Sequence, residues 1–135
     1  MDEIKFGVVG YGSIAQKHIK LIKTKYPKSD IKILIHKKNN KFNNRLNFFH
    51  EEKLFFKNKF DYILLCNPCT RHVEYLKKSI KYKVKNIFVE KPLSDNFKKI
   101  EKFQKKNSNF KSKILVGYVL LFNELFIKTL SLLKK

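Results

Sequence analysis

The residues of this sequence that could do chemistry fall in three short segments, each at a glycine or a proline. Gly10-Tyr11-Gly12-Ser13-Ile14-Ala15 is a G-x-G-x-x-A run, preceded by an apolar stretch and followed by a helix-period one. In that setting the first glycine permits a tight turn, the second lets backbone approach a pyrophosphate, and the small alanine lets helix pack close to strand. Free N–H groups and the macrodipole at the start of such a helix favour an anion. The second segment is Asn67-Pro68, with His72 four residues after the proline. The third is Glu90-Lys91-Pro92, ending an apolar run. A lysine fixed there can set its ammonium beside a reacting carbon–oxygen bond and stabilise negative charge on oxygen.

About twenty residues past the glycines, a dinucleotide site usually carries an acid for the adenosine ribose. Here the apolar run Ile31–Ile35 is followed by His36-Lys37-Lys38, with no carboxylate. A cationic cluster at that point suits a 2′-phosphate, so NADP is expected in preference to NAD. The other reading of these lysines is the general lysine background of the chain.

Short apolar runs alternate with longer amphipathic stretches, the pattern of parallel βα units. The expected strands are Ile4–Val9, Ile31–Ile35, Leu46–Phe49, Tyr62–Cys66, Asn86–Val89 and Ile114–Tyr118. Ser13–Tyr26 is a helix with Ile14, His18 and Ile22 on one stripe beside Ala15, Ile19 and Tyr26, closed by Pro27. Lys37–Asn44 reads as a loop or a very short helix, and Glu51–Phe56 as a helical turn. Thr70 is expected to cap a helix running to about Tyr82, with Val73, Leu76 and Ile80 inward. Ser94 is expected to cap the next, lined by Phe97, Ile100 and Phe103, and a last amphipathic helix covers Phe122–Leu133. Six strands with right-handed crossovers predict an α/β fold: a doubly wound parallel sheet of the Rossmann type, order 3-2-1-4-5-6, with helices on both faces. That order sets Asn67-Pro68 beside the glycine loop across the switch point, and Glu90-Lys91-Pro92 on the same carboxyl edge.

The glycine run with the following His18, Asn67-Pro68 with His72, Val89-Glu90-Lys91-Pro92 and Val116-Gly117-Tyr118 together resemble the glucose–fructose oxidoreductase / inositol dehydrogenase (Gfo/Idh/MocA) family, over roughly Ile4 to Leu133. The resemblance implies an NAD(P)-binding domain with Gly10, Gly12, Ser13, Ile14, His36, Lys37, Asn67, Pro68, Glu90 and Lys91 at the cofactor. It also implies oxidation or reduction of a sugar, cyclitol or sugar nucleotide, with Lys91 as the candidate catalytic group near nicotinamide and substrate and His72 shaping the pocket. The sequence departs from the family at three places. His36 replaces the usual ribose-binding acid. Leu121-Phe122-Asn123-Glu124 stands where the family commonly shows an Arg-Phe-His-Pro-like run. Third, the family's second domain is expected to be absent, and in the family that domain supplies an open-faced sheet, most substrate contacts and the acid/base histidine or aspartate. Residues 1–135 are therefore expected to form one cofactor domain, incomplete as a catalyst alone, that meets a sugar-like substrate only where a second domain is supplied. Its apolar Phe122–Leu133 helix is expected to drive self-association.

The net charge of +20 admits a polyanion partner, nucleic acid or an anionic membrane surface. Lysines are scattered, however, and Arg45 and Arg71 are the only arginines, whereas nucleic-acid sites favour the arginine fork. The preferred reading is AT-rich codon usage, with no nucleic-acid or membrane partner. Cys66-Asn67-Pro68-Cys69 is a C-x-x-C and admits a thiol redox site; the preferred reading is two unpaired cysteines of a cytoplasmic protein. Met1-Asp2-Glu3 is acidic where a signal peptide would be basic. No metal site is expected.

Overall fold

Lys5–Val9 (β1) carries side chains buried toward both faces of a sheet, as a central parallel strand must. Around it stand β2 (Asp30–Leu34), β3 (Asn47–Phe49), β4 (Tyr62–Leu65), β5 (Asn86–Val89) and β6 (Lys113–Val116). The computed structural model describes residues 3–36, 46–106 and 110–133. Within them the six strands run in the order β3-β2-β1-β4-β5-β6, and every neighbouring pair is parallel. This is the doubly wound order expected. The stretch expected as a loop or short helix after His36 lies outside the described residues.

Helices pack on both faces. On one face α1 (Ser13–Lys25) buries Ala15 and Ile19 against Phe6, Val8, Ile31, Ile33 and Leu64. On the other, α2 (Glu52–Phe56), α3 (His72–Lys81) and α4 (Phe97–Lys106) bury Phe55, Phe56, Leu76 and Phe103 against Val9, Leu34, Ile63, Leu65, Ile87 and Val89. Each such side chain contributes about 1.5–3 kcal/mol by leaving water. Farther along the α1 face, an apolar groove of about 510 Å³ lined by Phe6, Ile22, Tyr62, Phe88 and Leu115 stays open.

Two helix starts differ from expectation. Thr70 does not cap α3: the chain first makes a 3-10 turn over Cys69–Arg71, and α3 begins at His72 with no side-chain cap. Asn96 rather than Ser94 caps α4, its Oδ1 accepting the Lys98 N–H at 2.9 Å, while Ser94 Oγ accepts the Asn96 N–H. Starting at Phe97 turns that ring outward, 80% exposed. The segment after β6 makes a 3-10 turn over Val119–Phe122 and then α5 (Glu124–Leu133), which buries none of its residues. No helix among the described residues is long and apolar enough to cross a membrane.

Candidate functional site

The turn from β1 into α1 is shaped by Gly10, whose φ of +94° lies where side chains are strained. A Cβ there would also sit 2.9 Å from the Cys66 carbonyl oxygen, so glycine lets the β1 and β4 ends approach. Gly12 is the N-cap of α1, has no side-chain cap and precedes a first turn free of acids. The opening N–H groups of that helix have no intrahelical acceptor. Among the described residues, no atom beyond Gly12's own chain neighbours and helix backbone lies within 4 Å of where its Cβ would stand. The space in front of an uncapped, positively polarised helix end is therefore open. Ser13 and Ile14 border it, both exposed, while Ala15 is wholly buried.

β4 delivers Asn67-Pro68 to the same edge. Asn67 is 8% exposed; its Nδ2 donates to the Pro68 carbonyl at 3.2 Å, but its Oδ1 is buried with no partner among the described residues. An unmet buried acceptor of this kind is uncommon and fits a ligand donor. Pro68 itself is exposed. β5 delivers Glu90, 9% exposed, which meets His18 of α1 through Oε1 at 2.6 Å and accepts the Lys91 N–H on Oε2 at 3.3 Å. Lys91 is exposed, and no carboxylate among the described residues pairs with its ammonium. The Lys91–Pro92 peptide bond is cis.

His72 lies behind these loops, 1% exposed, with Nδ1 at 2.8 Å from the Pro92 carbonyl and Nε2 at 2.7 Å from the Asn67 carbonyl. Its place is between two backbone segments, stitching the Asn67 and Glu90-Lys91-Pro92 loops together and so shaping the cleft they border. That cleft, of about 370 Å³, is lined by Ile14, Cys66, Asn67, His72, Glu90 and Lys91 among others.

A second cluster caps the carboxyl end of β2. His36 is exposed there, and its Nε2 meets the Tyr75 hydroxyl at 2.5 Å. Tyr75 Oη in turn donates to Glu52 Oε1 at 2.5 Å. Lys78 bonds both Glu52 and Glu74, and Arg71 holds Glu74 through Nε at 3.0 Å and Nη2 at 3.1 Å. Burial pushes the Glu52 carboxyl up, but hydrogen bonds from Lys78 and Tyr75 outweigh it and hold it below the usual carboxylate value. Lys37 lies outside the described residues.

The structure thus brings Gly10, Gly12, Ser13, Ile14, Asn67, Pro68, Glu90, Lys91 and His72 to one edge around the β1–β4 switch point, and sets His36 at the end of β2 on that edge. Glu52 and Tyr75 escape a reading by motif because they belong to no local pattern. Tyr75 alone left a trace, a phenol beside the inward stripe of α3. The C-x-x-C segment is there too, but burial and the neighbouring Glu90 charge push the Cys66 thiol up to about 12, far from the low value of a reactive thiolate.

Residues 4–118 match the model of the GFO_IDH_MocA family, described as an oxidoreductase family with an NAD-binding Rossmann fold. No curated protein matches the sequence. Among solved structures, the chain is similar to myo-inositol 2-dehydrogenase from Lactobacillus plantarum, with a TM-score of 0.83 at 16% identity, covering 98% of this chain and 41% of that one. It is similar to apo scyllo-inositol dehydrogenase from Lactobacillus casei, with a TM-score of 0.82 at 18% identity and coverage of 98% and 41%. A third likeness is to the WlbA (WbpB) dehydrogenase from Thermus thermophilus in complex with NAD and UDP-GlcNAcA, with a TM-score of 0.65 at 20% identity and coverage of 84% and 41%. At these identities the likeness is one of fold. The chain spans about two fifths of the length of each of these enzymes.

Proposed function

The chain belongs to this oxidoreductase family with an NAD-binding Rossmann fold, and on that premise we propose that it is the nicotinamide-dinucleotide-binding part of an enzyme that oxidises or reduces a hydroxyl or keto group of a sugar, cyclitol or sugar nucleotide. The observation that carries the cofactor reading is the uncapped start of α1 behind Gly12, facing a space that no side chain of the described residues fills. The first-turn N–H groups and the backbone at Gly12 would hold the pyrophosphate. Asn67 Oδ1, buried and unmet, would accept a donor from the nicotinamide half. When bound, the cofactor's nicotinamide gives or takes the hydride.

Lys91 points to the reaction. Its exposed ammonium, on a residue whose backbone N–H is held by Glu90, would stabilise negative charge on the substrate oxygen. One ammonium does not clamp a substrate, and hydride transfer needs the reacting carbon held near nicotinamide with a group to move the hydroxyl proton. The sugar-like substrate is accordingly met together with further protein. The outward apolar residues of α5, Leu125 (74% exposed) and Leu133 (78%) among them, suit docking against that protein or self-association. Free Cys66 and Cys69 fit a reducing, cytoplasmic setting.

The test is a fluorescence titration with NADH and NADPH on the wild type and Gly12→Val. Among the described residues, the Cβ of a valine there meets nothing within 4 Å beyond its chain neighbours, so the fold and its circular dichroism should survive while nucleotide affinity falls at least about a hundredfold. Normal nucleotide binding by Gly12→Val, or none by the wild type, would refute the reading.

A further inference from the structure

We propose that His36 takes the adenosine ribose as a hydrogen-bond acceptor through Nδ1, in place of the acid the sequence lacks, and that Tyr75 and Glu52 hold the ring in the tautomer that allows this. The proposal rests on the dinucleotide reading above and deepens it to the choice between NAD and NADP. The hydrogens of the three side chains can be counted. Glu52 receives Lys78 on Oε2 and lies 3.7 Å from the Arg71 guanidinium, so it is a carboxylate and only accepts. Tyr75 has one hydroxyl hydrogen, and it goes to Glu52 Oε1. Burial and the Glu52 contact both push the phenol up, keeping that hydrogen in place. The Tyr75 oxygen can then meet His36 Nε2 only as an acceptor, so the hydrogen of the neutral imidazole sits on Nε2. What remains on His36 is the Nδ1 lone pair, an acceptor where a ribose-binding carboxylate would have offered one.

The choice of cofactor follows. A ribose 2′-hydroxyl can donate to Nδ1, whereas a 2′-phosphate brings only acceptors and a charge of the same sign as Glu52. Among the described residues the cations beside this cluster are engaged: Arg71 and Lys78 bond Glu52 and Glu74 and lie 5.0 and 4.7 Å from the Tyr75 ring centre. NAD is therefore preferred, the reverse of the expectation drawn from Lys37 and Lys38.

Two measurements on the full chain test this. In the first, NADH and NADPH are titrated against the wild type, Tyr75→Phe, Glu52→Gln and His36→Asp. The wild type should bind NADH about tenfold more tightly than NADPH, the worth of one hydrogen bond kept or lost. Tyr75→Phe and Glu52→Gln should narrow that ratio, mainly by weakening NADH, and His36→Asp should keep it by restoring a carboxylate acceptor. In the second, long-range 1H–15N NMR of the wild type, with the His36 signal identified by its loss in His36→Gln, should show the Nε2–H tautomer where the ring is neutral. An Nδ1–H tautomer, a wild type that prefers NADPH, or a ratio untouched in Tyr75→Phe would overturn the proposal. If neither nucleotide binds the wild type, the dinucleotide reading falls first and takes this with it.

Discussion

The two ends of the proposed cofactor crevice are built from different materials. At the Asn67/Lys91 end side chains chiefly hold backbone: His72 meets two carbonyl oxygens, and Glu90, besides its contact with His18, accepts the N–H of the residue after it. At the His36 end the framework is side chain upon side chain, a run from His36 through Tyr75 and Glu52 to Lys78. A backbone frame fixes the path of the chain, so its loss is felt as unfolding. A side-chain frame fixes protons and charges, so its loss is felt as altered selectivity and pH response. The chain thus spends stability at the end where geometry must be kept and electrostatic detail at the end where ligands must be told apart.

The largest expected effect is on His72. Replacing it by alanine leaves two carbonyls unmet and a hole in the core, a loss of about 2–4 kcal/mol in urea unfolding. His72→Gln, which can still donate, should recover part of that loss. Tyr75→Phe keeps the ring packed and loses only the hydroxyl, costing about 1 kcal/mol. Equal losses for the two variants would erase the distinction between the ends.

A smaller effect is expected in acid. Hydrogen bonding to Arg71 holds the Glu74 carboxyl down at about 2, against 4.5 for the free group. A depressed carboxyl stabilises the fold above its unfolded value and loses that contribution as pH falls toward the folded one. Stability should therefore decline between about pH 4.5 and 2, and Glu74→Gln should flatten that decline. Because the Glu74 side chain is 42% exposed, solvent screening keeps the change modest, and an unaltered acid melt in Glu74→Gln would show that the ion pairs there hold nothing. The smallest effect is on Lys91. With no ion-pair partner among the described residues, Lys91→Met should change stability by less than about 0.5 kcal/mol, and a larger loss would mean that the lysine belongs to the frame rather than to the reaction.

The same contrast explains what could be read in the sequence. The sheet order followed from apolar runs of buried strands, since Ile63–Leu65 and Ile87–Val89 face helices or neighbours on both sides. Gly10 was legible because a tight turn demands glycine, Gly12 because it completes the G-x-G-x-x-A run, and Glu90-Lys91-Pro92 because it stands where a strand ends. His36, Tyr75 and Glu52 meet only after three elements have packed, from positions 23 to 39 residues apart along the chain, and no local spacing announces that meeting. The missed cap has a like cause. Ser94 and Asn96 are both good caps, and which one serves depends on where Phe97 leaves the loop. The outward face of α5 shows the limit of periodicity, which gives a helix its stripe but not the surface that stripe will meet.

His18 also bears on the rate at which ligand is captured. Its 2.6 Å contact with Glu90 ties the second turn of α1 to the end of β5, a link that restrains the helix start against the Lys91 loop. Little ordering is then left for the moment of encounter, and association should approach the speed at which an anion diffuses to the crevice. A chain of charge +20 draws such an anion in from a distance that added salt shortens. In stopped-flow mixing, raising the ionic strength should slow the arrival of a dinucleotide while its departure stays nearly unchanged.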